Sequence, residues 1–411
     1  MQIALIADHI GSLAPSARAE ADAYPDDPEA GVLSLARALA GLEQQVTVYT
    51  RSDDAALPES AALCPGATVA YLSAGPQARL AGDRLLPHIG AFADSLAQRW
   101  QRSAPAVAHA HSWTSGMAAL AAARGTGIPV VQSFRQLGTD PADPPRQVRS
   151  AAQRLVRNQA ARARLQAAVG RSASAVLARA EADVAELARL GIPQTSVTVV
   201  PAGVDTGQFR PSGPAARRGD RPRLLTVTTL GERKELATVL QALTRVPEAE
   251  LVIAGGPARD ELARDRGYRA VNRMARQLGV QDRLVFTGRI RRADMPALLR
   301  SADLLVSMTA AAPFGAVALD AMACGLPVIA AAAGLHLDVV IDKITGYLVP
   351  PANTALLASR ITQLLASPML REGYGISAAS RAEDRYSWTR IGAETLAVYQ
   401  SLPHRPADAA A

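Results

Sequence analysis

The run Thr309-Ala310-Ala311-Ala312-Pro313-Phe314-Gly315-Ala316-Val317 has the residue types that hold a multiply charged anion without a metal. Pro313-Phe314-Gly315 ends an apolar run and opens a helical pattern. The N–H groups of Gly315, Ala316 and Val317 are therefore helix-initial donors, with the positive end of the helix dipole behind them. A diphosphate fits such a cradle, although the same residues also suit a plain turn plugged by phenylalanine. Lys234, in Glu232-Arg233-Lys234, is a cation at a helix start, where it opposes the dipole. It calls for an anion beside it, or else is a surface lysine. His109 and His111 stand two apart at a strand end and share a face. No carboxylate or cysteine completes a metal set there, so no metal is expected and His109 reads as a buried structural residue. Phe286-Thr287-Gly288-Arg289-Ile290 runs from a core phenylalanine through a turn glycine.

These groups need a scaffold that brings strand ends together. At 411 residues the chain is too long for one ordinary core and predicts two domains of roughly 200 residues each. Short apolar runs at 2–7, 46–50, 106–109, 130–133, 174–177 and 197–200 alternate with helical patterns, among them 29–42, 113–123 and 181–190. That alternation predicts an α/β fold with a parallel sheet covered on both faces. Residues 206–223 include Arg-Pro-Ser-Gly-Pro-Ala-Ala-Arg-Arg-Gly-Asp-Arg-Pro-Arg, which lacks periodicity and predicts a linker. The alternation resumes from 224 to 388, with runs at 224–227, 251–254, 284–286, 304–306 and 328–330. In doubly wound sheets ligands lie beyond the carboxyl ends of strands, where the groups above fall.

Composition narrows the function classes. With 49% hydrophobic and 20% charged residues the chain is globular rather than disordered. Cys64 and Cys324 are too few for a disulfide framework or a zinc site, which fits a reducing cytoplasm. The N-terminal run reads as a buried strand rather than a signal peptide, and no segment approaches the ~20 apolar residues of a membrane helix. The net charge of +7 is uneven: residues 146–171 carry seven arginines and no acid on one helical pattern. A solvated helix face, a peripheral contact with anionic headgroups at the inner face of the membrane, and a polyphosphate partner all suit it. No nucleic-acid module or interleaved aromatics accompany it, and nucleic acid is not expected as a partner.

Several stretches taken together resemble the GT-B glycosyltransferases of family 4. They include "HAHSWTSGMAALAAARGTGIPVVQSF", "VVPAGVDTGQF", "LVIAGGP", "RLVFTGRI", "PALLRSADLLVS", "PFGAVALDAMACGLPVIA" and "ITGYLVPP", and the likeness runs to Trp388. The resemblance implies two Rossmann-like doubly wound domains facing across a cleft, 1–205 on the acceptor side and 224–388 on the donor side. It also implies a last helix, 389–402, crossing back to the first domain. It further implies a retaining hexosyl transfer from a nucleoside-diphosphate sugar, which is a substrate, with no cofactor. The diphosphate would lie at the start of the helix at Ala316 with Lys234 across from it, the nucleobase against the main chain at Arg289 and Ile290, and His111 beside the donor sugar or acceptor. The acceptor is unidentified, and the basic helix favours an anionic one.

The family pattern is incomplete here. A glutamate that touches the transferred sugar aligns with Ala312, a ribose-binding glutamate with Asp320, and a phosphate-clamping arginine with Thr229. The glycine pair of the first loop falls in Tyr24-Pro25-Asp26-Asp27-Pro28, and the glycine ending the first helix is Glu43. A charge-assisted hydrogen bond contributes about 1.5–3 kcal/mol, so losing the arginine and one glutamate weakens binding by about 3–6 kcal/mol. That is a rate factor of about 10² to 10⁴. Two readings follow: a slowed transferase, with Arg135 or Arg289 as a replacement cation, or a pseudo-glycosyltransferase retained as a binding protein on an active homologue.

Overall fold

The computed structural model describes residues 1–403 except 12, 14–22, 25–29, 81, 135, 136, 138–148, 232 and 309–313; the side chains of 23, 82, 83, 149–159, 233, 314 and 315 also lie outside what it describes. The chain divides into two compact units, one of residues 1–18, 28–201 and 389–411, the other of 19–27 and 202–388.

The first unit is built on strands β1 (Gln2–Ala7), β3 (Gln45–Arg51), β4 (Ser60–Cys64), β5 (Ala67–Leu72), β6 (Val107–Ala110), β7 (Val130–Ser133), β8 (Ala175–Ala178) and β9 (Val197–Val199). They form one sheet in the order β4-β5-β3-β1-β6-β7-β8-β9, parallel except for the edge pair β4 and β5. β6 is buried along its whole length, as a strand covered on both faces must be, which explains its unbroken apolar run apart from His109. Ala30–Gly41 turns Val32, Leu33, Leu35, Ala36 and Leu39 into the core. Its end is left-handed at Glu43, φ 60°, the position where glycine is usual. The helix Trp113–Ala122 lies so close to the sheet that a Cβ on Gly116 would meet Gln132 Oε1 at 2.0 Å. The last helix, Trp388–Ser401, falls almost wholly in this unit.

The second unit has a six-stranded parallel sheet of β10 (Arg223–Val227), β11 (Glu250–Ala254), β12 (Leu284–Gly288), β14 (Leu304–Ser307), β15 (Val328–Ala331) and β16 (Gly346–Val349), in the order β12-β11-β10-β14-β15-β16. β10 and β14 are buried throughout. A separate ladder joins β2 (Ala23–Tyr24) antiparallel to β13 (Ile290–Arg291). Residues 206–223, expected as a linker, are mostly exposed and are anchored to this unit at a few points. Phe209 is fully buried, the Ala216 N–H donates to Ala297 O at 2.8 Å, and Arg218 pairs with Asp303 at 3.0 Å. The basic helix spans Arg149–Ser172. Arg164 and Arg171 are exposed, with Arg171 reaching Leu190 O at 3.4 Å, while Arg146 lies outside the described residues.

Candidate functional site

In the second unit the strand order reverses between β10 and β14, so a ligand's natural place is beyond their carboxyl ends. A small pocket opens there, walled by Thr228 and Glu235 on one side and by Ser307 and Met308 on the other. β10 runs into Thr228, whose N–H donates to Ala254 O at 2.9 Å, and then into the exposed Thr229. Leu230 follows at φ 49°, a backbone state costly for leucine, held by burial of its side chain against Gly256. Only glycine fits there, because a Cβ on Gly256 would meet Leu230 Cδ1 at 2.6 Å. Lys234 is exposed in the first turn of the helix Arg233–Leu243.

On the other wall β14 leads to residues 309–313, so Ala312 and Pro313 lie outside the described residues. The helix Phe314–Ala323 begins directly after them, with Ala316 half-buried and Val317 buried. Ser307 Oγ lies 3.2 Å from His336 Nε2, and burial pushes the His336 imidazole down to about 4, so it is neutral. His336 was not singled out from the sequence; its one local signal is Gly334 two residues earlier, at φ 56° after β15.

Asp320 lies on the same helix with its side chain 5% exposed. Its Oδ2 accepts a hydrogen bond from the Tyr24 hydroxyl at 2.7 Å and faces Arg292 Nη1 at 3.7 Å. Burial raises its carboxyl to about 6 against the pull of Arg292 and Tyr24. Burial, and then the neighbouring Asp320 charge, hold the Tyr24 hydroxyl well above its usual range. The Arg292 guanidinium lies over the Phe209 ring at 4.9 Å and the Tyr24 ring at 5.9 Å. The expected ribose carboxylate is thus present, but engaged by a phenol from early in the chain.

The main chain near Arg289 is also committed. The Arg289 N–H donates to Pro257 O at 2.9 Å, its side chain is exposed, and Ile290 is half-buried and paired with Tyr24. Gly288, at φ 70°, lets β12 turn beside Arg259 N, which a Cβ would meet at 2.9 Å.

In the first unit His109 is buried and bonded through Nδ1 to Tyr399 Oη at 2.6 Å and through Nε2 to Ser133 Oγ at 2.8 Å. Burial, reinforced by His111, keeps it neutral. The half-buried His111 ring lies tilted against that of His109, centroids 4.1 Å apart, and the His111 backbone N–H donates to Ile6 O at 3.0 Å. A polar cluster that sequence reasoning missed lies just beyond β1 and β3. Thr114 donates to Asp8 Oδ2 at 2.6 Å, His9 Nδ1 lies 3.3 Å from Asp53, and the buried Arg51 donates to Pro76 O at 2.5 Å. Among the described residues no three His, Cys, Asp or Glu side chains gather as metal ligands. No helix among them is long and apolar enough to cross a membrane.

Residues 29–208 match the model described as Glycosyltransferase Family 4, and 212–381 match Glycosyl transferases group 1. The D-inositol 3-phosphate glycosyltransferase 2 of Catenulispora acidiphila is 31% identical over 388 residues, covering 90% of this chain and 88% of that protein. The D-inositol 3-phosphate glycosyltransferase of Streptomyces bingchenggensis is 31% identical over 389 residues, covering 90% and 83%. Among solved structures, sucrose-phosphate synthase from Thermosynechococcus elongatus superposes with a TM-score of 0.78 at 24% identity, covering 98% of each chain. Anabaena HepE, solved in complex with UDP and glucose, gives 0.69 at 17% identity, covering 98% of this chain and 100% of that one. The two parallel-sheet units, the two family models and relatives alike over nine-tenths of the chain agree: the protein is a glycosyltransferase of family 4 with the GT-B fold.

Proposed function

We propose that the protein transfers a hexosyl group from a nucleoside-diphosphate sugar to an acceptor hydroxyl with retention at the anomeric carbon. The carrying observation is the pocket at the reversal of the second sheet, walled on one side by the segment leading to Lys234 and on the other by the strand leading to the helix Phe314–Ala323. In this reading that helix start and Lys234 hold the diphosphate without a metal. Asp320 takes the ribose hydroxyls, the main chain at 288–290 takes the base, and His111 serves the acceptor side.

The acceptor oxygen bonds to the anomeric carbon on the face that the diphosphate leaves. The carbon–oxygen bond to the diphosphate breaks, and the acceptor's proton passes to the departing phosphate oxygen. No enzymic nucleophile is needed, so alanine at 312 slows the step rather than abolishing it. A phosphorylated polyol is the acceptor class we favour, because the relatives are named D-inositol 3-phosphate glycosyltransferases and the basic helix exposes Arg164 and Arg171. The same arginines support contact with anionic headgroups on the cytoplasmic side of a membrane.

Calorimetric titration with UDP, GDP and ADP tests the donor site. One nucleotide should bind, and Lys234→Ala should weaken it about ten- to hundred-fold, as expected for a lost charge-assisted bond. Absence of binding by all three at millimolar concentration overturns the reading. It would favour instead a fold kept as a partner of an active homologue.

A further inference from the structure

β2 falls in the second unit and makes a two-residue ladder on β13, Tyr24 opposite Ile290 and Ala23 opposite Arg291. So short a ladder has little stability of its own. The Tyr24 side chain supplies the rest: its ring is buried beside Phe209, with centroids 6.3 Å apart, and its hydroxyl ends on Asp320.

The phenol presents to Asp320 what the ribose of a nucleotide would present, an O–H donor carried on a flat body over an apolar surface. Asp320 Oδ2 is already in bonding contact with it at 2.7 Å, and the carboxylate is otherwise enclosed, its side chain 5% exposed. The ladder also runs along Ile290 and Arg291, directly after the turn at Gly288 where the base is proposed to lie. One short strand therefore covers both halves of the proposed nucleoside position.

We propose that β2 is a built-in competitor for the donor: Tyr24 occupies the Asp320 carboxylate in place of ribose hydroxyls, and a nucleoside diphosphate binds by displacing it. The inference rests on the donor-site reading above. Tyr24→Phe leaves the ring and removes the hydroxyl that anchors it, so the open form gains population and apparent affinity rises about ten- to hundred-fold, the range for a lost hydrogen bond to a charged acceptor. In a Cys64→Ser background, Ala23→Cys with Arg291→Cys pins the strand in place.

The test is calorimetry with UDP, GDP and ADP on the wild type, on Tyr24→Phe and on the pinned protein, oxidised and reduced, with circular dichroism confirming that each is folded. Tighter binding by Tyr24→Phe, together with loss of binding on oxidation and recovery on reduction, is the expected result. Equal or weaker binding by Tyr24→Phe, or undiminished binding by the oxidised protein, overturns the competitor while leaving the donor site standing. Binding by none of the forms removes the donor site and the competitor together.

Discussion

Replacing Asp320 by asparagine gives a pH-dependent stability change that the structure sizes. Burial lifts the Asp320 carboxyl from 3.8 to about 6, and at about 1.4 kcal/mol per pH unit this corresponds to about 3 kcal/mol. Between those two values the folded protein keeps a proton that the unfolded chain has released. The contribution of this group is therefore fully present below 3.8 and is lost as the pH rises through about 6. About 2 kcal/mol of it remains at pH 4.5 and essentially none at pH 7.5. The buried histidines act with the opposite sign. His336, lowered to about 4, and His109, lowered well below 6.5, contribute stability above 6.5 that falls away as the pH drops. A wild-type curve alone would mix these trends, whereas the difference between variant and wild type cancels the histidines. Asparagine keeps an acceptor for the Tyr24 hydroxyl and cannot ionise. Relative to wild type, Asp320→Asn should gain about 2 kcal/mol between pH 4.5 and pH 7.5, read from urea melts at one-unit intervals. A difference that is flat with pH, or that grows towards acid, would refute the view that a buried, ionising carboxylate sits at 320.

Two further substitutions probe the scaffold. Tyr399→Phe removes the hydroxyl from His109 Nδ1 in the buried strand β6 and should lower stability by about 1–3 kcal/mol, read as a drop in the thermal midpoint of the first unit; an unchanged midpoint would show that the contact is not sustained. Gly346→Ala places a Cβ 1.9 Å from Val328 O, across the β15–β16 pairing, and should destabilise the second unit by about 3 kcal/mol or more, or leave the protein insoluble; normal expression and melting would mean the register is different.

What the sequence disclosed depended on how local the cause was. The strand expected at 130–133 is Val130–Ser133, and the helix expected at 113–123 is Trp113–Ala122, because the apolar period and the Ser112 cap lie within the segments themselves. The edge strand β4 was missed, since Ser60–Cys64 is nowhere buried and carries no clear pattern; β5 was missed as well, although it is buried at all but one position. The linker composition of 206–223 does not disclose its anchors, the buried Phe209 and the carbonyls of Arg210 and Pro214 that Arg300 binds. The site was least legible where its partners are most distant: Tyr24 and Asp320 are 296 residues apart, and nothing around either announces the other. In the sequence, Asp320 keeps the ribose-binding carboxylate on a side chain one methylene shorter, a change that ribose binding can survive. In the structure, the carboxylate one methylene shorter is the one that meets Tyr24 Oη at 2.7 Å in a closed setting under Arg292. A longer side chain in the same rotamer would press into that phenol. The missing methylene and the tyrosine are therefore complementary, two residues that fit each other, and independent decay of a binding site gives no reason for such a fit.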